Sequence, residues 1–392
     1  MMKRILPILS LLTLPACAAA PSTAPVAPPP VTAAATVPAP APEPPPPPKP
    51  APASAEERVQ WFKDCWSAFN AKDWTKLGGC YSETVRAENV DSGMPETIGR
   101  ADVIEKSAKP FAAQFPDVTG ESQLLLLNGD RIASVWLMKG KNSGALMGPD
   151  GSSLPATNKS FGMLSAHVVD LSEGGRSITM ERFYSDTGTM LGQLGLSKAP
   201  HRAVLAKGAE TKLVIAKNGP TEKFNLDVAA RALEAFNKHD VNALVDMMTA
   251  DVVFSDWGAP KDVVGKPAVK KSFEGMFKAF SDLKIEAKSV WTAGDYIVME
   301  GSMSGTNDGD MPSMKLKKTG KTLRVRFLEI DEVKDGKLKN MWIFDNRMAF
   351  AAQLGLLPQP AKKSENKPAG KVKDDSAHKQ PAKAAEPAKV NR

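Results

Sequence analysis

The sequence predicts an α+β fold built as two tandem copies of one domain, and three observations carry that expectation. QLGL occurs twice, at 193–196 and 353–356, and the agreement extends upstream: SAFNAKDWTKL (67–77) faces EAFNKHDVNAL (234–244) at an offset of 167, and FPDV (115–118) faces FSDL (280–283) at 165. The closing pair sits at 160, a drift that a few loop deletions absorb, and a repeat this long is a domain rather than a solenoid unit. Within each copy, apolar residues recur first at helical spacing and then alternate as in strands, which segregates the helices from an antiparallel sheet. The two ends, finally, have compositions that cannot build a core.

From the N-terminus, residues 1–16 join Lys3 and Arg4 to the run ILPILSLLTLPA, the pattern of a secretory signal and too short for a stable membrane-spanning helix. Leu14-Pro15-Ala16-Cys17 resembles the bacterial lipobox, which implies that Cys17 is lipidated and holds the protein in the cell envelope. Ala18 in place of Asp points to the outer membrane, while Ala18-Ala19-Ala20 also suits an ordinary signal peptidase and a free periplasmic or secreted protein. Residues 17–54, with PEPPPPPKPAP, favour extended polyproline II and read as a disordered stalk. At the other end, residues 359–392 carry eight Lys and one Arg against four acids, +5 of the chain's formal +7, so the basic balance belongs to a disordered tail. Solubilisation and weak contact with anionic surfaces both fit this tail; it has no aromatics for base stacking, so no specific nucleic acid is expected.

The first copy, 55–198, opens with WFKDCWSAFNAKDWTKLGGCY (61–81), read as a helix, a turn at 70–73 and a second helix. With Cys17 set aside, Cys65 and Cys80 are either a disulfide across this hairpin, in a compartment that permits one, or two small buried residues. A linker follows at 199–221, where LVIA (213–216) has the composition of a strand. The second copy, 222–358, shows Val228, Ala232, Leu233 and Phe236 and then Leu244, Val245 and Met248 at helical spacing, a short strand DVVFSDW (251–257), and a third helix from Pro267 to Phe280. Four strands, LKIEAKSVWTAG, DYIVMEGSMSG, TLRVRFLEIDEV and LKNMWIFDN, are then separated by Gly and Asp turns.

These words in this order resemble the NTF2-like superfamily and, within it, the SnoaL-like polyketide or ester cyclases. In the second copy they are AFNKHD, DVVFSDW, Gly265-Lys266, FSDL, GDYIV, GTNDG (305–309), TGK (319–321) and Trp342…Asn346…QLGL; in the first, AFNAKD, FPDV, GDRIA, GKNSG (140–144), TNK (157–159) and FYSDTGTMLGQLGL. The resemblance covers most of both copies. It implies a curved antiparallel sheet on three helices, a cone whose mouth admits a small, often apolar ligand, and chemistry without a cofactor. It further implies a carboxylate base near the last strand-to-helix segment, acting on a carbon acid. Asp186, seven residues before Gln193, matches that base; the same count from Gln353 reaches Asn346, which cannot be one. Asp345 replaces it only if a bulge restores its direction. The family's frequent His after the short strand is replaced by Ser255 in the second copy and Glu88 in the first.

His167, in MLSAHVVDL, is expected either to face Asp186 across the first cone as its acid–base partner or to be a half-buried structural residue. Glu300, in VMEGS, is either a pocket carboxylate or a rim carboxylate paired with Arg326 or a Lys. Expected ligand contacts are Trp136 and Tyr184 in the first copy and Asp256, Trp257, Glu300, Trp342, Asp345 and Asn346 in the second, with Phe183, Trp291 and Phe344 as further wall residues. No HExxH, CxxC, GxSxG or phosphate-cradling loop is present, so no metal site is expected. Two functions fit: an envelope-anchored module whose cones hold a small apolar molecule or pair with each other, within the chain or across a homodimer; or a cofactor-independent SnoaL-like cyclase or isomerase with the first copy catalytic.

Overall fold

The computed structural model describes residues 51–147 and 152–357. The signal, Cys17, nearly all of the stalk and the tail lie outside the described residues. The first copy runs α1 (Ala55–Ala71), α2 (Trp74–Gly78), β1 (Tyr81–Asn89), β2 (Thr97–Ile98), α3 (Arg100–Asp102), a π-helical turn (Val103–Ala108), α4 (Lys109–Gln114), β3 (Thr119–Asn128), β4 (Arg131–Lys141), β5 (Leu146–Met147), β6 (Ser153–Leu154), β7 (Ser160–Leu171), β8 (Ile178–Tyr184) and α5 (Thr187–Gln193). After β9 (Lys212–Ile215) the second copy runs α6 (Pro220–Asn237), α7 (Val241–Asp246), β10 (Met248–Asp256), β11 (Val263–Val264), α8 (Lys266–Ala279), β12 (Lys284–Ala293), β13 (Tyr296–Thr306), a 3-10 turn (Pro312–Met314), β14 (Thr322–Lys334), β15 (Lys337–Phe344) and α9 (Arg347–Gln353). The sheets are ordered β2-β1-β8-β7-β4-β3-β9 and β11-β10-β15-β14-β13-β12, so they are the same sheet except that linker strand β9 adds to the first, parallel to β3. These are two tandem NTF2-like domains.

The repeated words are explained by the same contacts made twice. Asp73 and Asp240 cap α2 and α7 by accepting from the amides of Lys76 and Ala243. Asn70 and Asn237 clip the first helix to the sheet, each bonding both the N–H and the C=O of one strand residue, Gly120 and Ile285. Gln193 and Gln353 do the same to Gly162 and Arg324, and the glycines of QLGL end α5 and α9 with φ of +73° and +70°, a left-handed turn that a β-carbon disfavours. Helix α1 starts in a capping box between Ser54 and Glu57, and Cys65 is bonded to Cys80, tying α1 to the start of β1.

Each sheet is buried on both faces. In the first copy Leu125, Leu127, Trp136, Met163 and Val169 face the helices, while Leu124, Leu126, Ala133, Val135, Ala166 and Val168 face the other way. In the second, Ile297, Val325 and Met341 face inward, while Trp291, Val298, Leu328, Ile330 and Phe344 join the outward residues of the first copy in one shared apolar cluster. Sheet therefore packs on sheet, with the two helical layers outside. Polar links cross the same seam: Arg182 donates to both oxygens of Glu300 at 2.5 and 3.1 Å, the Tyr184 hydroxyl donates to Glu300 at 2.8 Å, and Arg326 bonds Asp91 and Glu88.

Arg182 and Glu300 are a buried pair, their side chains 12% and 6% exposed. Arg182→Met leaves the buried Glu300 carboxylate with the Tyr184 hydroxyl as its remaining donor and takes a partner from Asp170, and is expected to cost about 3–5 kcal/mol in guanidinium denaturation, part of it recovered by adding Glu300→Leu.

Candidate functional site

The second cone contains a cavity of about 190 Å³. Helices α6 and α8 supply Ala229, Leu233, Phe236, Phe273 and Met276, and the inner faces of β12 to β15 supply Ile285, Met299, Met303, Phe327 and Ile343. Seven of the chain's 17 methionines line it, an unbranched and polarisable wall that adapts to different shapes. Of the lining residues Met314 is exposed and Arg347 and Asp256 are partly so, whereas Met248 and Leu338 are fully buried.

The reason this cone is open lies in three substitutions between the copies. Aligned on their shared GD…G.N words and on strand register, Trp136 of β4 corresponds to Gly301 of β13, and on the first helices Phe62 and Trp66 correspond to Ala229 and Leu233. In the first copy Trp66 stacks on Trp136 at 3.9 Å, with Phe62 edge-on to the same ring at 6.2 Å. The second copy has no large ring at any of these positions, and the cavity remains.

Five charged groups line it: Asp256 on β10, Glu329 and Asp331 on β14, Asp345 just after β15, and Arg347 in the first turn of α9. Glu329 and Asp331 are two apart on one strand and so share its inner face. Burial pushes both carboxyls above the usual range, and the neighbouring Glu329 pushes Asp331 further. Asp345 is raised by burial and by the charge of Asp256, against the pull of Arg347. Burial would lower the Arg347 guanidinium, but Asp256 and Asp345 outweigh it and hold the group charged. Arg347 is ion-paired to Asp256, whereas Asp331 Oδ1 and Asp345 Oδ1 are buried without a hydrogen-bond partner. Among the described residues no three His, Cys, Asp or Glu are grouped to hold a metal ion.

Asp256 and Asp345 are thus in the cavity wall, and Asp345 needs no bulge: Ile343 and Asp345 face inward while Phe344 faces the seam. The other expected site residues lie elsewhere. Asp186 and Asn346 are the N-caps of α5 and α9, accepting from the amides of Thr189 and Met348, so the count of seven from each Gln reaches a cap, where Asp and Asn are equivalent. Burial raises the Asp186 carboxyl against its bonds from the amides of Thr189 and Arg347. His167 does not pair with Asp186; its Nδ1 lies 2.9 Å from Glu181, which also accepts from Tyr81, and its ring packs on Trp66 and Phe183. Burial raises Glu181, yet His167 and Tyr81 together hold it below the usual carboxylate range. Glu300 and Tyr184 bond to each other at the seam because their strand positions face away from the cones, and Arg326 takes Glu88 and Asp91 instead. Trp136 is packed in the first core. Trp257 stacks on Phe344 under Arg202, and Trp342 stacks on Tyr296, all on the outer face.

Glu329, Asp331 and Arg347 were missed by the sequence reading. Two acids at i and i+2 in LEIDEV, in phase with inward Val325 and Phe327, were the available signal for the pair. For Arg347 it was a cation in the first turn of a helix, where the macrodipole disfavours one.

The sequence profile of the SnoaL-like polyketide cyclase family matches residues 56–194 and 227–354, together more than half of the chain. No curated protein matches the sequence. Among solved structures, a SnoaL-like protein from Jannaschia sp. CCS1 is 18% identical, covering 36% of this chain and 97% of its own, with a TM-score of 0.33. AclR from Streptomyces galilaeus is 24% identical over 35% and 99%, with a TM-score of 0.32, and IdmH from Streptomyces antibioticus is 21% identical over 33% and 97%, with a TM-score of 0.29.

The raised carboxyls set a sign for stability. Below the ordinary carboxylate pKa the pair is protonated in both folded and unfolded chains; above it the unfolded chain releases its protons first, so the pair lowers stability as pH rises until it ionises in the folded state as well. Asp331→Asn removes the Asp331 share of this loss, while buried Glu329 keeps its own, and the variant's melting temperature is expected to exceed that of the parent by a margin that grows from acidic to mildly alkaline pH in paired calorimetric scans.

Proposed function

The chain belongs to the SnoaL-like polyketide cyclase family through both of its copies, and from that premise we propose that the second copy is the working one, a receptor for a small, largely apolar molecule, with the first copy as its structural partner. The observation that carries this is the contrast between the cones: the first is packed with Phe62, Trp66 and Trp136, while the second keeps a methionine-rich cavity with buried, unpartnered carboxyl oxygens. Apolar walls with a few placed polar groups are the usual composition of a small-molecule site.

A second reading is favoured by the Glu329–Asp331 pair. A carboxyl pair with a raised affinity for protons takes a proton from a carbon acid and returns it near neutral pH, as an isomerisation or ring closure requires, with no cofactor. In this reading the reactive copy is the second. Asp331→Asn and Glu329→Gln would then abolish turnover while leaving ligand retention measurable.

We also propose envelope anchoring through Cys17, supported by Lys3, Arg4, the apolar run and Leu14-Pro15-Ala16-Cys17. Among the described residues no helix is long and apolar enough to cross a membrane. Cys17→Ala is expected to move the protein from the membrane to the soluble fraction; unchanged fractionation contradicts the anchor.

The receptor reading is tested by rebuilding the first cone's filling in the second. Ala229→Phe with Leu233→Trp is expected to weaken binding of any co-purified or added apolar ligand at least tenfold, as followed by native mass spectrometry, while the far-ultraviolet spectrum is retained. Undiminished binding would place the ligand elsewhere.

A further inference from the structure

The charge of the cavity wall goes beyond shape and polarity. It holds four carboxyls, Asp256, Glu329, Asp331 and Asp345, and one cation, Arg347. Asp256 is taken by Arg347. Arg347 also acts on Asp345, but the wall holds no second cation for Glu329 and Asp331: α6, α8, β12 and β13 present only uncharged side chains to the cavity, and the wall's charged groups outside β14 are Asp256, Asp345 and Arg347.

We propose that the second cone takes a cationic ligand, a protonated amine on a compact apolar body, with its ammonium against Asp331 and Glu329; this rests on the second cone being the binding site. The acidic cluster alone would not carry the assignment. Asp331, 7% exposed, lines the cavity and meets no donor beyond the neighbouring carboxyl of Glu329, and Asp345, also in the wall, has a buried Oδ1 with no hydrogen-bond partner. A buried acceptor without a donor is a site awaiting one. An ammonium brings up to three donors and the missing charge together, a neutral hydroxyl brings a donor and no charge, and an anion is repelled. Phe236, Phe273 and Phe327 line the same wall, and an aromatic ring is a favourable neighbour for a cation that reaches its face.

Protons balance simply. In the empty cone the pair retains protons because burial disfavours its charge. An ammonium that enters restores the advantage of the ionised form, and below about pH 7, where Glu329 keeps its proton in the empty cone, one carboxyl proton leaves to solvent for each cation bound. Amine affinity therefore rises by about tenfold per pH unit while the pair is protonated in the empty protein, and levels off once it has ionised.

The test is isothermal titration of the full chain with cyclooctylamine and, separately, its neutral counterpart cyclooctanol, between about pH 5 and pH 8, where the amine stays charged. The expected result is that the amine binds at least tenfold more tightly than the alcohol at the upper pH, tightens as pH rises, and releases a proton seen as buffer-dependent heat. Asp331→Asn should weaken amine binding at least tenfold, and Glu329→Gln serves as the second variant if the first folds poorly. If the alcohol binds as tightly as the amine at every pH, the cationic assignment is overturned and the receptor reading stands. If neither binds, both fall.

Discussion

The burial of each sheet on both of its faces is the constraint on which the rest of the molecule depends. Strand alternation then divides every residue between two destinations, the cone of its own copy or the seam with the other copy. Ala133, Val135, Ala166 and Val168 on one side and Val298, Leu328 and Ile330 on the other are committed to the seam and must stay compact and apolar. The inward positions are held only by their own helices, so they are free to differ between copies. They do: His167 and Val169 in the first copy stand where Glu329 and Asp331 stand in the second, at matching register to the preceding strand.

The outcome is a division of labour within one fold. The first copy spends its interior on stacked rings, a disulfide across its first hairpin, and a buried His167–Glu181–Tyr81 chain of hydrogen bonds. The second retains a void and carboxyls without partners, both of which destabilise, and such local conflicts are tolerated where a protein has a use for them. The copies meet at the start of α9. The backbone amide of Arg347 bonds Asp186 of the first copy at 3.0 Å while its side chain holds Asp256 in the wall of the second cone, so a cap in one copy positions a wall residue in the other.

How much was legible in the sequence follows from how local each feature is. The tandem copies, their element order and the strand character of residues 213–216 could be read because caps, clips and periodicity are written in short words: Asn70 and Asp73, Asn237 and Asp240, Gln193 and Gln353 each act within a turn or on one neighbouring strand. The site was less legible because the decisive facts are comparisons across distance. Counting back from Gln found Asp186 and Asn346, but at those positions the residue type reports capping, for which the two are interchangeable. Glu300 reads from the sequence as either a pocket or a rim carboxylate, and pairing places it opposite Leu328, in phase with the seam. Which cone is open depends on Phe62, Trp66 and Trp136 against Ala229, Leu233 and Gly301, a difference in volume spread over elements some 70 residues apart, visible only once the copies are aligned in space.

The central claim is that ligand binding belongs to the second cone alone. Methionine methyls report on it directly, because Met299, Met303 and Met341 line that cavity while Met138 and Met163 sit in the packed core of the first copy. In a spectrum of the protein labelled at its methionine methyl carbons and titrated with an apolar ligand, the first group should shift and the second should stay in place. Shifts confined to Met138 and Met163, or spread equally over both groups, would contradict the account.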